Sequence, residues 1–335
     1  PTYDALPLFH ITPLIGLTVL GKQRSLHTPI KLRILPDLRL GCFLTMALNL
    51  SILDQSKWPA LLKVARLDRP IGSLLLLWPT LAALWIAAEG IPSLHLLIVF
   101  SLGTLLTRSA GCVVNDLADQ KLDGHVKRTA LRPLATGEIV SRDAIEFMAL
   151  LLLVSLGLVL TTNLMTIAWA MGAVVAAAIY PFLKRITHLP QVGLGIAFSF
   201  GIPMAFAATG APITADTGLL FLANLIWVIA YDTCYAMVDR DDDLTIGIRS
   251  TAILFGDMDR TIIGLLQTLV VGLLIALGIN LQFAWPYYLA LLVISGLFIY
   301  QQWLIRARER EGCFAAFLNN QWAGMVLFVG VLSQY

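Results

Sequence analysis

Of the 335 residues, 58% are hydrophobic and only 13% are charged, and the mean hydropathy is +0.80. Soluble domains run at about 45–50% apolar and about 25% charged, so this composition excludes an ordinary soluble domain and points to a polytopic membrane protein. The net charge of +2 makes no case for a nucleic-acid partner, and the four cysteines show neither C-x-x-C pairing nor metal-ligand spacing, so they read as small core hydrophobes.

Residues 1–45 differ from the rest of the chain. Pro7, Pro13, Pro29 and Pro36 interrupt any long helix, and the best apolar run, from Ile11 to Leu20, is too short to cross a bilayer. An acid and no base precedes that run, which makes it a poor secretory signal. The expectation is an N-terminal extension outside the functional domain, with translation beginning at Met46, the first methionine, and a single membrane domain over 46–335. The rival reading is a targeting or regulatory extension.

Next, Trp58, Leu61, Leu62 and Ala65 recur at helical spacing beside Lys63 and Arg66, the pattern of a short interfacial helix. Nine candidate spans come after it, at roughly 71–88, 94–114, 144–161, 164–182, 189–209, 218–238, 262–280, 284–304 and 313–332. Each is near the ~20 residues that a spanning helix needs. Open sheets cannot leave unpaired edges in lipid, so the predicted fold class is all-α, a polytopic bundle of nine transmembrane helices.

Basic residues set the orientation. They cluster before the first span (Lys57, Lys63, Arg66, Arg69), after the second (Lys121, Lys127, Arg128, Arg132, Arg142), and after the fourth (Lys184, Arg185). They recur after the sixth (Arg240, Arg249, Arg260) and the eighth (Arg306, Arg308, Arg310). The alternate connections, at 89–93, 162–163, 210–217 and 281–283, carry no Lys or Arg. The alternation predicts a cytoplasmic N-terminus and an outer C-terminus. It also makes the long loops after the second and sixth spans cytoplasmic.

Those two loops hold the chemistry. The end of the second span reads NDLADQKLDGH, with Asn115, Asp119 and Asp123 at i, i+4 and i+8. A helix continued through them would put all three on one face. The end of the sixth reads YDTCYAMVDRDDD, with Asp232, Asp239 and Asp243 at i, i+7 and i+11. Eight of the chain's 21 acidic residues fall in these two stretches, too many like charges to sit together without a shared cation. Oxygen ligands without His or Cys suit a hard ion such as Mg²⁺, which completes its shell with water and substrate phosphates. Asp241 and Asp242 read as a solvated face. Each acidic end is followed by an arginine and a hydroxyl, Arg128-Thr129 and Arg249-Ser250, a weak internal repeat. Arginine's planar fork suits phosphate. Arg108 lies within the second span, seven residues before Asn115, and an intramembrane arginine is a functional candidate by default. Lys184-Arg185 either serve the same site or snorkel to the interface.

The stretches RLDRPIGSLLLLWPT, GCVVNDLADQKLDGHVKRTALRPL, YPFLKRITHLPQVGLG, YDTCYAMVDRDDD and IGIRSTAILFG resemble the UbiA family of membrane prenyltransferases, in its bacterial 4-hydroxybenzoate polyprenyltransferase branch. The resemblance runs from about residue 57 to the end. It implies a nine-helix bundle around a central cavity under a cytoplasmic cap, in the bacterial inner membrane. It implies Mg²⁺ as cofactor, held by Asn115, Asp119 and Asp123 on one arm and Asp239 and Asp243 on the other. The substrates implied are a polyprenyl diphosphate and 4-hydroxybenzoate, joined at the ring carbon ortho to the hydroxyl, as in ubiquinone biosynthesis. Lys127, Arg128, Arg132 and Arg249 would assist the diphosphate, Arg108 or Arg185 would anchor the aromatic carboxylate, and Arg185 matches an arginine near the reacting centre. Competing readings are another aromatic acceptor, such as homogentisate or dihydroxynaphthoate, and a secondary transporter. A transporter would place its charges near the bilayer midplane on broken helices rather than at the ends of two spans.

Overall fold

The computed structural model describes residues 54–335, so the expectations for residues 1–45 and for Met46 lie outside the described residues. Among the described residues every regular element is helical. The short α1 (Trp58–Val64) leads into α2 (Ile71–Ala88) and α3 (Leu94–Asp119). A 3₁₀ turn at Asp123–His125 and α4 (Pro133–Thr136) precede α5 (Ser141–Val159), α6 (Leu164–Leu183), α7 (Pro190–Ser199) and α8 (Gly201–Thr209). Then come α9 (Ala215–Ile246), α10 (Thr251–Phe255), α11 (Asp259–Asn280), α12 (Trp285–Leu304) and α13 (Arg310–Leu332).

Eight helical stretches among the described residues are long and apolar enough to cross a membrane, against nine expected. The segment at 144–161 is helical as α5, but Arg142, Asp143 and Glu146 in its opening turns keep it outside that set. The span expected at 189–209 is divided at Phe200 into α7 and α8. Pro203 has no N–H to return to the Ser199 carbonyl, which accounts for the interruption.

Local chemistry sets the ends. Ser93 caps α3 by accepting from Leu96 N at 3.3 Å, and Asn163 caps α6 by accepting from Thr166 N at 2.9 Å. Two helices outrun the bilayer. At 1.5 Å per residue, the 26 residues of α3 and the 32 of α9 reach about 39 and about 48 Å, against a hydrocarbon core of about 30 Å. The surplus turns carry Asp119, Asp239 and Asp243 beyond the expected spans at 94–114 and 218–238, while Asp232 stays within the second. Gly247 then ends α9 with φ 72°, a left-handed turn that suits glycine and sends the chain back toward the bundle.

The main core joins α2, α8, α9, α11, α12 and α13 around Leu84, Trp227, Leu274, Tyr287, Ile294 and Leu327. A polar belt runs through it. Asn224 donates to Ser199 Oγ at 2.9 Å, Trp227 Nε1 to Asn320 Oδ1 at 2.8 Å, and Gln301 to Asn319 Oδ1 at 2.9 Å. Gln267 donates to Gln301 Oε1 at 2.8 Å. Between apolar helices such bonds supply the specific association that lipid-like packing lacks, about 0.6 to 2 kcal/mol each.

Candidate active site

The charged ends of α3 and α9 meet across one cavity of about 1750 Å³. Asn115, Asp119, Asp123, Asp239 and Asp243 line it, together with Arg108, Lys127, Arg128, Arg132 and Arg249. Most of the rest of the wall is apolar, including Leu152, Leu156 and Val159 of α5 and Ile167, Ala170 and Val174 of α6.

On the first arm α3 stops at Asp119. The expected unbroken face through Asp123 is not formed, because the chain turns over at residues 120–122 and the 3₁₀ turn delivers Asp123 instead. Arg132 secures that return: its Nη1 donates to both Asp123 oxygens, at 3.0 and 2.9 Å. The same Nη1 lies 2.9 Å from Asp116, the buried neighbour of Asn115, which also receives Arg66. Burial pushes the Asp123 carboxyl above the usual carboxylate range; Arg132 works against this and Asp116 adds to it. Burial opposes the charge on Arg132, yet Asp116 and Asp123 outweigh it and raise its pKa.

On the second arm Asp232, Asp239 and Asp243 stay on the continuous α9, all three buried and facing the cavity. The arms are cross-linked. Arg128 of the first clasps Asp239 of the second, Nε to Oδ1 at 3.0 Å and Nη2 to Oδ2 at 2.5 Å. Its guanidinium also lies 4.5 Å from the centre of the Tyr235 ring. Lys127 donates its backbone N–H to Asp242 at 3.2 Å, and Arg310 donates to the same carboxylate at 3.0 Å. The solvated-face expectation therefore holds for the exposed Asp241 and is corrected for Asp242, which is buried against two donors from elsewhere.

Lys184 pairs with Asp119, so it belongs to the site rather than to a snorkelling interface. Asp119 Oδ1 is nevertheless buried without a hydrogen bond, an acceptor left open toward a cation. Among the described residues no three His, Cys, Asp or Glu side chains are close enough to cage an ion by themselves.

The two candidate arginines for the aromatic acid do not share a wall. Arg108 lines the cavity, beside Cys112 and 5.9 Å from the centre of the Phe198 ring. Arg185 lines a separate depression of about 550 Å³ with Lys121 and Ile246, and donates to the Ala118 carbonyl at 2.5 Å. Its guanidinium reaches no nearer than 3.9 Å to Asp119. Arg249 lines the cavity but turns its Nη1 to the Ile186 carbonyl, at 2.5 Å.

The family model for UbiA prenyltransferases matches residues 76–327. The chain belongs to the UbiA prenyltransferase family. A relative from Tolumonas auensis, named 4-hydroxybenzoate octaprenyltransferase, is 56% identical over 277 residues, which cover 83% of this chain and 97% of that protein. The apo structure of a UbiA homologue from Aeropyrum pernix K1 matches with a TM-score of 0.69 at 21% identity, over 78% of this chain and 97% of that one. A UbiA homologue from Archaeoglobus fulgidus bound to GPP and Mg²⁺ matches with a TM-score of 0.59 at 18% identity, over 82% and 99%. At such identities the two structures bear on the fold alone; the eight helical stretches long and apolar enough to cross a membrane make this UbiA chain a multi-pass membrane bundle.

Helical spacing in this UbiA chain does not single out Asp116, Arg66 or the pairing of Lys184. Asp116 stands next to Asn115 and Arg66 lies in the RLDRP stretch, so adjacency to the motifs is the signal that could have found them. The two lie 50 residues apart in the chain, beyond what helical spacing can register.

Proposed function

We propose that this chain transfers a polyprenyl group from a polyprenyl diphosphate to the ring carbon ortho to the hydroxyl of 4-hydroxybenzoate, with Mg²⁺ as cofactor, in ubiquinone biosynthesis. The observation that carries this reading is the meeting of two acidic arms and their cationic partners in one cavity whose remaining walls are largely apolar. The names of relatives at 56% identity support the acceptor. The asymmetry of Lys and Arg supports a site facing the cytoplasm of a bacterial inner membrane.

Asn115, Asp119, Asp123, Asp239 and Asp243 would hold the cation, which supplies charge neutralisation to the diphosphate leaving group. Lys127, Arg128, Arg132 and Arg249 add positive potential around that group, in a cavity where low polarity magnifies it. Arg108 offers the aromatic carboxylate a buried counter-charge. Asp232, buried on the cavity wall, is the acceptor for the ring proton released when aromaticity is restored. The α5 and α6 walls receive the prenyl chain and keep water from the allylic cation, which water would otherwise quench to an alcohol.

The test is an assay of membranes bearing the full chain, with 4-hydroxybenzoate, Mg²⁺ and a set of polyprenyl diphosphates. Prenylated 4-hydroxybenzoate is expected, and its formation should cease on chelation. Product from homogentisate or dihydroxynaphthoate but none from 4-hydroxybenzoate would overturn the acceptor.

A further inference from the structure

Arg66 occupies the connection between α1 and α2 with φ 57°, a left-handed backbone that few residues other than glycine adopt. Its guanidinium has two tasks. Nη1 donates to the carbonyls of Lys63 and Val64, at 2.8 and 3.2 Å, and so closes the end of α1. Nη2 donates to both oxygens of Asp116, each at 2.9 Å. Asp116 is 1% exposed and holds Arg132 on its other side at 2.9 Å. Arg132 in turn holds Asp123. Arg66, Asp116, Arg132 and Asp123 thus form a line of alternating charge along the cavity wall, from the entry to the first span to the first acidic arm.

The line has a consequence for Arg132, which is shared between two carboxylates. Asp116 carries one negative charge and two guanidinium partners, so its hold on Arg132 is diluted by Arg66. Without Arg66, Asp116 would take Arg132 wholly to itself and draw it from Asp123 and from the space beside the acidic arm. We infer that Arg66 is a positioning residue: acting through Asp116, it sets Arg132 where it serves the diphosphate. This rests on the reading of the cavity as a diphosphate site.

A glycine substitution separates this role from a local one. If Arg66 mattered only as a turn, Arg66→Gly would relieve the left-handed backbone and be silent or stabilising. The experiment uses the full chain in lipid nanodiscs and measures Mg²⁺-dependent binding of an unreactive thiolo analogue of geranyl diphosphate, beside the KM for each substrate and the thermal midpoint. Arg66→Gly should weaken analogue binding about tenfold, the scale of a charged hydrogen-bonded contact, while the KM for 4-hydroxybenzoate and the thermal midpoint stay at wild-type values. Arg66→Lys, which restores the charge without the fork, should recover part of the loss. In an Asp116→Asn background Arg66→Gly should add little, because both act on the same partner. Wild-type analogue binding by Arg66→Gly would overturn the inference. So would equal loss in both Arg66 variants together with a lowered thermal midpoint. If the wild type binds the analogue but does not prenylate 4-hydroxybenzoate, the acceptor reading fails while the binding comparison still decides Arg66. A wild type that does not bind the analogue overturns both.

Discussion

The two acidic arms look like repeats in the sequence and are built differently. The second is a single helix: α9 carries Asp232, Asp239 and Asp243 on one face and stops at Gly247. The first is assembled from pieces, with Asn115 and Asp119 on α3, Asp123 on a 3₁₀ turn, and Arg132 folded back onto that turn. The hooks differ as well. Arg128 reaches across to the opposite arm, whereas Arg249 spends a bond on the Ile186 carbonyl. A continuous helix faces an arm pieced together from a helix end and a turn, and the contacts between them cross rather than run in parallel. Sequence likeness between the arms therefore does not make their residues equivalent.

The largest expected effect tests what the arms share. Asp119→Ala and Asp239→Ala should each lower turnover by about a thousandfold or more, given that charge neutralisation of this kind supplies several kcal/mol. The protein should still insert and bind detergent as a folded bundle, which circular dichroism and size exclusion will show. Near-wild-type turnover in either variant at saturating Mg²⁺ would break the two-arm site. The next effect separates the hooks. Arg128→Gln should lower turnover by about a hundredfold, in the range seen when one transition-state donor is removed, and Arg249→Gln by about tenfold or less. Equal losses would restore the symmetry that the structure denies.

A smaller effect concerns the aromatic acid. Arg108→Gln should raise the KM for 4-hydroxybenzoate about tenfold with turnover less affected, the mark of lost substrate binding. Arg185→Gln, with its side chain in a separate depression, should change it by no more than about threefold. The smallest is a matter of pH. Burial raises the Asp123 carboxyl, so the folded chain keeps that proton to higher pH than the unfolded chain. Its contribution to stability is therefore present at low pH and fades as pH rises through the folded value. Cation binding needs the ionised form and runs the other way. The acidic limb of kcat/KM should lie above the ordinary carboxylate range, and Arg132→Gln, which removes the opposing charge, should move it further up. An acidic limb within the ordinary range would overturn this expectation.

Hydropathy places the helices to within a few residues over most of the chain, because about 20 apolar residues have no other stable form in lipid. It falls short where charge and apolar surface share a helix. α9 was expected to end near 238, yet runs to Ile246 through four further aspartates, since helix continues readily once outside the apolar layer. The candidate ligands Asn115, Asp119, Asp123, Asp239 and Asp243 were legible from their spacing, and the cavity gathers them. Their partners were not. Lys184 meets Asp119 from 65 residues away, Arg128 meets Asp239 from 111, and Arg310 meets Asp242 from 68. Periodicity describes a face of one helix and is silent about which other helix supplies the counter-charge.

The polar belt has a bearing on how the chain is made. Trp227 on α9 finds its hydrogen-bond partner, Asn320 on α13, 93 residues later. At about 5–20 residues per second, a ribosome needs roughly 5 to 20 seconds to supply it. Until Asn320 is made, α9 carries an indole N–H that its final neighbour cannot yet satisfy. Assembly of this protein is thus held open from its sixth expected span until its last. A nascent chain arrested before residue 320 would carry the whole acidic machinery and still lack the helix that locks the core around it.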